Sequence, residues 1–219
     1  MFTLRSILET YRSVLVLDAA SAHVHAGWIL SDSSSRWSKI EAEASSGVFA
    51  AIQELSVDPA EVGAFVFCEG PGSILGIRTV ATAIRTWVAM SPRPVFSFRS
   101  LELVARTAGR PGQTVICDAR RQSWHATAIG HELTLGPLRR IPTAELPPVG
   151  LITPAGFRRW SAPPTAVPLA VPYEPARLAN ALAEIALLRE APEPDAFLHE
   201  DPAYAPWTPA VHRAPEKSS

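Results

Sequence analysis

The chain has 219 residues, a formal net charge of −1 and a sequence pI of about 6.6, which argues against a broad basic surface for gripping nucleic acid. With 19% charged and 47% apolar residues it is not a disordered chain. Its two cysteines, Cys68 and Cys117, are too few for a disulfide scaffold or a four-cysteine zinc site, and both lie in apolar runs, as buried reduced thiols do.

Met1–Ser13 shows no firm pattern. Val14–Asp18 is a short apolar run ending in an acid, and Val24–Leu30 and Trp37–Glu41 read as two strands around a hairpin loop at Ser31–Ser35. Val48, Ala51, Ile52 and Leu55 recur at helical spacing and predict a helix over about 46–56. Strand Ala64–Cys68 runs into Glu69-Gly70-Pro71-Gly72-Ser73. Beyond it Ile77, Val80, Ala81, Ile84 and Val88 form an apolar helical stripe opposite Arg78, Thr82 and Arg85, with Ser73 placed to cap the helix. Val95–Phe98 predicts a strand, and Ser100 caps a short helix through Leu101, Val104 and Ala105.

The turn Arg110-Pro111-Gly112 divides the chain into an N-terminal α/β lobe, 1–111, and a smaller lobe, 112–219. Five of the 21 prolines precede residue 137 and sixteen follow from Pro137, which disfavours long helices and central strands in the second part. That part begins with strand Thr114–Cys117, the turn Asp118-Ala119-Arg120-Arg121 and strand Trp124–Ile129. Pro175–Arg189 predicts a helix with Leu178, Leu182, Ile185 and Leu188 on one face, and the last thirty residues read as extended. Both parts run strand, acid-containing turn, strand, then helices, which argues an α/β protein. The apolar runs Val14–Leu17 and Val62–Cys68 are too short for a secretory signal or a membrane span, so a soluble cytoplasmic protein is expected.

Gly70, Pro71, Gly72 and Ser73 form the most distinctive segment. Glycines permit close backbone approach and the following helix start presents free amides, so the turn suits either an anion or a tight strand-to-helix junction. No Gly-Lys-Ser/Thr follows, so it is not a Walker loop. Asp18-Ala19-Ala20-Ser21 and Asp118-Ala119-Arg120 are acidic turns without the glycines on which a phosphate-binding turn relies. His23 and His25 share one strand face but lack further metal ligands in sequence. His199-Glu200 is followed by Ala203 where a zincin needs histidine, and no GxSxG elbow exists. Arg139-Arg140 and Arg158-Arg159 are short basic pairs, read as a solvated face.

Gly70-Pro71-Gly72-Ser73-Ile74-Leu75-Gly76-Ile77-Arg78 closely resembles the GPGSFTGVR signature of the TsaB (YeaZ) family. In the same order, Val14–Asp18 resembles that family's opening strand, Pro94-Val95-Phe96 to Ser100-Leu101 its next strand-to-helix segment, and Cys117-Asp118-Ala119-Arg120 its IDAR motif. Asp201-Pro202-Ala203-Tyr204 stands where the family has a PxYLR-like segment. The resemblance implies an actin-like/Hsp70-like ATPase (ribonuclease H-like) fold with two similar lobes, the second reduced. It implies a non-catalytic partner of TsaD, working with TsaE in a larger complex that installs threonylcarbamoyl on adenosine 37 of tRNA. It further implies no cofactor, no metal, no membrane contact, only indirect contact with tRNA, and a homodimer when the chain is alone. The implied partner surface comprises Val48 and Ile52 on the first predicted helix and Ile77, Arg78, Val80, Ala81, Ile84, Arg85 and Val88 on the second. The alternatives are a small ATP-dependent kinase of the same fold, which would need working phosphate turns at Asp18, Ser21 and Asp118, or a self-associating orphan paralogue.

Overall fold

The computed structural model describes residues 1–31 and 34–198, and their strands build two sheets on one plan. The first contains β1 (Ser13–Asp18), β2 (Val24–Leu30), β3 (Ser35–Ile40), β4 (Ala64–Gly70) and β5 (Val95–Arg99), ordered β3-β2-β1-β4-β5. The second contains β6 (Thr114–Asp118), β7 (Ser123–Ala128), β8 (Arg139–Pro142), β9 (Leu151–Pro154) and β10 (Leu169–Val171), ordered β8-β7-β6-β9-β10. In each, the first three strands form an antiparallel meander and the last two run parallel to the first. The central position of β1 explains its composition: Val14, Leu15, Val16 and Leu17 are each fully buried, as a strand covered on both faces requires.

Four helices belong to the first half: α1 (Leu4–Tyr11), α2 (Ala44–Leu55), α3 (Ile74–Met90) and α4 (Ser100–Ala108). Ser73 caps α3, its hydroxyl accepting the Gly76 N–H at 3.3 Å. Ser100 does not cap α4. Arg99 holds the cap position, and Ser100 is the first helical residue, its hydroxyl donating to the Pro71 carbonyl at 2.5 Å. The unpatterned start of the chain folds into α1, which Thr3 caps by accepting the Ser6 N–H at 3.0 Å. Leu4, Ile7 and Leu8 are its whole buried stripe, too short a pattern to register in sequence.

The expected helix over Pro175–Arg189 does not form. Pro175–Ala179 makes a single 3-10 turn, and the chain then runs back to the first sheet. Strand β11 (Arg189–Glu190) pairs antiparallel with β5, and Phe2 and Leu188 exchange backbone hydrogen bonds of 2.7 and 3.0 Å. Leu178, Leu182, Leu187 and Leu188 are buried in the main core rather than along one helix face. Tertiary pairing overrides local helix preference here. The division at 111/112 is corrected accordingly: β6–β10 form the second sheet, but the chain beyond Tyr173 contributes to the first.

The hairpin tip at residues 32–33 lies outside the described residues, as do His199-Glu200 and Asp201-Pro202-Ala203-Tyr204. Among the described residues no helix is long and apolar enough to cross a membrane.

Candidate functional site

The turn after β1 and the junction before α3 meet backbone to backbone. The Ser73 N–H donates to the Ala20 carbonyl at 2.8 Å. A Cβ on Gly72 would stand 2.4 Å from the Ala20 oxygen, and one on Gly76 would stand 2.2 Å from the Ala19 oxygen. These glycines therefore let α3 press its first turn against Ala19-Ala20. The Gly70–Pro71 bond is cis, and Gly70 takes a φ of 111°. The segment forms the tight strand-to-helix junction that the sequence offered as one of its two readings, with the first acidic turn packed against Gly72 and Gly76.

Asp18 is fully buried at the end of β1. One carboxylate oxygen accepts the Ala20 N–H at 2.8 Å, and the other accepts the Tyr173 hydroxyl at 2.5 Å. Loss of water pushes its pKa up to about 6, against the pull of the Tyr173 and Ala20 hydrogen bonds. The Cys68 sulfur lies 3.6 Å from the same hydroxyl, and burial raises its thiol pKa well above the usual value. Ser21 is turned inward too, bonding the N–H and carbonyl of His23.

Asp118, at the matching place after β6, has the opposite environment. One oxygen accepts the Arg120 N–H at 2.5 Å and the Ser161 hydroxyl at 3.0 Å; the other accepts the Trp160 and Ser161 N–H groups, each at 2.5 Å. Partial burial works to raise its pKa, but these donors outweigh it and hold the carboxyl below its ordinary value. The turn it closes is strained: Arg120, Arg121 and Gln122 are consecutive left-handed residues, with φ of 62°, 52° and 55°. Such a conformation costs a non-glycine residue roughly 1–2 kcal/mol.

A single segment connects both acidic turns. Gly156 accepts the Ala22 N–H at 2.9 Å after the first turn, and four residues later Trp160 and Ser161 bind Asp118. Residues 155–161 thus form a strap from one turn to the other. The carboxylates of both acidic turns accept their hydrogen bonds from the chain itself.

Beside the strap, two adjoining clefts of about 320 and 440 Å³ share His25, Lys39, Tyr173 and Glu174. His25 is buried edge-on against Tyr173 and 6.2 Å from the His23 ring. Burial, with Lys39 and His23 nearby, pushes its pKa down to about 4, so it is neutral at physiological pH. Among the described residues no group of three His, Cys, Asp or Glu side chains gathers to hold a metal.

The expected partner surface needs correction. Val48, Ile52, Ile77, Val80, Ala81 and Ile84 are all buried in the chain's own core, between α2, α3 and the first sheet. The apolar stripe on each helix serves the sheet because both helices lie on one layer and have only one inward face. Arg85 is exposed, Val88 half-buried, and Arg78 reaches Asp195 of its own chain at 3.4 Å. Sequence reading missed the apolar residues that do face outward: Phe49 (57% exposed), Ile74 (47%), Leu75 (79%) and Met90 (72%). Phe49 packs edge-on against Trp87, joining α2 and α3 on the outside. The available signal was Ile74-Leu75 at the helix start, two apolar residues off the core stripe.

No protein-family model matches the chain, and no curated protein sequence matches it. Solved structures do. YeaZ from Pseudomonas aeruginosa is 20% identical over 80% of this chain and 91% of its own, with a TM-score of 0.54. A Pseudomonas aeruginosa protein described as uncharacterized, with similarity to peptidase YeaZ, is 18% identical over the same shares, with a TM-score of 0.56. At these identities the likeness establishes architecture: the two-sheet α/β chain described above has the fold of YeaZ.

Proposed function

We propose that the chain is a divergent TsaB-type subunit, a non-catalytic partner of a TsaD enzyme in the threonylcarbamoylation of adenosine 37 of tRNA. The observation that carries this reading is the strap. In an actin-like ATPase fold the two acidic turns would receive a nucleotide's phosphates. Here Ala19-Ala20 face the backbone of α3, and Asp118 holds Trp160 and Ser161. A chain with this fold and filled turns is suited to binding a partner rather than ATP, which disfavours the kinase alternative. The partner surface we assign is the outward side of α2 and α3, with Phe49, Ile74, Leu75 and Met90 at its apolar positions and Arg85 between them. The same apolar side supports self-association when the partner is absent.

The test is co-expression with TsaD from the same cell. Tagged chain is expected to retain TsaD through gel filtration, and calorimetric titration of the chain alone with ATP or ADP is expected to give no heat of binding. Failure to retain TsaD removes the partner reading. Micromolar ATP binding restores the kinase reading.

A further inference from the structure

We infer that the end of the second sheet carrying Arg120, Arg121, Arg158, Arg159 and Trp160 is a docking surface for structured RNA, gripped through its phosphate backbone. Two basic segments, separate in sequence, meet there. Asp118 ties the Arg120–Arg121 turn to the strap by accepting N–H bonds from Arg120, Trp160 and Ser161. On the neighbouring strand β8, Arg140 reaches the Ala119 carbonyl at 3.4 Å.

Arg120, Arg121, Arg158 and Arg159 are exposed, and none makes an ion pair with a carboxylate among the described residues. Elsewhere five arginines are paired with carboxylates: Arg5 with Glu184, Arg78 with Asp195, Arg99 with Glu69, Arg177 with Glu174 and Arg189 with Glu102. On a chain of net charge −1, this end is therefore a local concentration of unneutralised guanidinium groups. Guanidinium forks match phosphate oxygens.

The aromatic residue decides between polyanions. Trp160 is 61% exposed, and the Arg120 guanidinium lies over its ring at 5.0 Å. An exposed indole among arginines offers a stacking platform to an unpaired base, which RNA loops supply and acidic polypeptides do not. The turn that presents Arg120 and Arg121 is the strained one, and strain held in place by surrounding structure is characteristic of sites that bind. The inference goes beyond the partner reading and does not rest on it, since the purified chain alone is the reagent.

The experiment is fluorescence anisotropy of the full chain with an end-labelled RNA stem–loop and, separately, a loopless duplex of equal length. Binding to the stem–loop is expected at 50 mM KCl and to weaken on the order of a hundredfold by 200 mM, as about four phosphate contacts require. The double variant Arg158→Ala/Arg159→Ala is expected to lower the salt slope by about two. Trp160→Ala is expected to weaken stem–loop binding about tenfold while leaving the duplex unchanged. All these side chains are exposed, so melting temperatures serve as a fold control. The inference is overturned if no binding occurs at 50 mM KCl or if the arginine variants bind like the parent. It is also overturned if polyglutamate displaces the RNA at equal charge, or if Trp160→Ala is indistinguishable from the parent on both probes, since either result means a general polyanion surface.

Discussion

Asp18 and Asp118 end the first strand of two sheets with one strand order, yet the two carboxyl groups are held in opposite ways. Asp18 sits in a dry pocket with one backbone donor and the Tyr173 hydroxyl, and its pKa rises to about 6. Asp118 sits near the surface with three backbone donors and a serine hydroxyl, and its pKa falls. The difference follows from what covers each turn. The start of α3 and the Tyr173 side chain close over the first turn, whereas the second turn meets the strap and leaves Arg120, Arg121 and Gln122 exposed. A repeated topology therefore does not imply a repeated site: the number of donors and the depth of burial set the chemistry of each turn.

The harshest way to probe that asymmetry is Ile84→Glu on α3. Ile84 is fully buried under the first sheet, so the carboxylate would be stranded in the main core. The cost is at least several kcal/mol, comparable with the whole stability of a domain of this kind. The variant is expected to be unfolded by circular dichroism at 25 °C. A folded, soluble variant would show that the first sheet is not the body on which the molecule depends.

A pH series sharpens the contrast. Asp18 binds its proton more tightly folded than unfolded, so its contribution is full below about pH 4 and is lost as pH rises through about 6. His25, pushed down to about 4 from 6.5, works in the other sense: its contribution is full above pH 6.5 and is lost as pH falls towards 4. Each is worth about 3 kcal/mol, so the two nearly cancel in the parent. Asp18→Asn is expected to expose the His25 effect, with urea midpoints falling on acidification from pH 7 to 4. His25→Gln is expected to expose the Asp18 effect, with midpoints rising over the same range. If both variants track the parent, neither group is held as described. Asp118 enters only below its ordinary carboxylate range, where acidification removes its contribution.

On the second turn, Asp118→Ala removes the acceptor that holds the strap. A loss of about 1–3 kcal/mol is expected, with hydrogen exchange at the Trp160 and Ser161 amides accelerated far more than in the first sheet. Uniform acceleration across both sheets would mean that the strap and the first core unfold as one unit. The smallest stability effect is expected for Leu75→Glu, on the same helix as Ile84 but facing outward. Its melting temperature should change by less than 0.5 kcal/mol equivalent, roughly the ceiling for a surface change, while retention of TsaD is lost. Normal retention would move the partner surface elsewhere.

What the sequence determined by itself was local. Strands β1, β2, β4 and β6 were legible because apolar runs of that length, bounded by turns, have few other uses. Helices α2 and α3 followed from their spacing, and the Ser73 cap from its hydroxyl ahead of a helix start. The signature turn and the two acidic turns were visible, as was their lack of phosphate-loop glycines. Only the tertiary structure decided which face of each helix was core, because an apolar stripe looks the same whether it meets the sheet or a partner; Ile84 and Leu75 show the two outcomes. It also decided that 175–190 would be drawn out against β5 instead of coiling, since pairing with distant backbone outweighs a few tenths of a kcal/mol per residue of helix preference. The strap joining Ala22 to Asp118, and the stacking of Arg120 on Trp160, depend on residues far apart in sequence: Ala22 with Gly156, Asp118 with Trp160, Arg120 with Trp160. No periodicity encodes such contacts, which exist only once both sheets have formed.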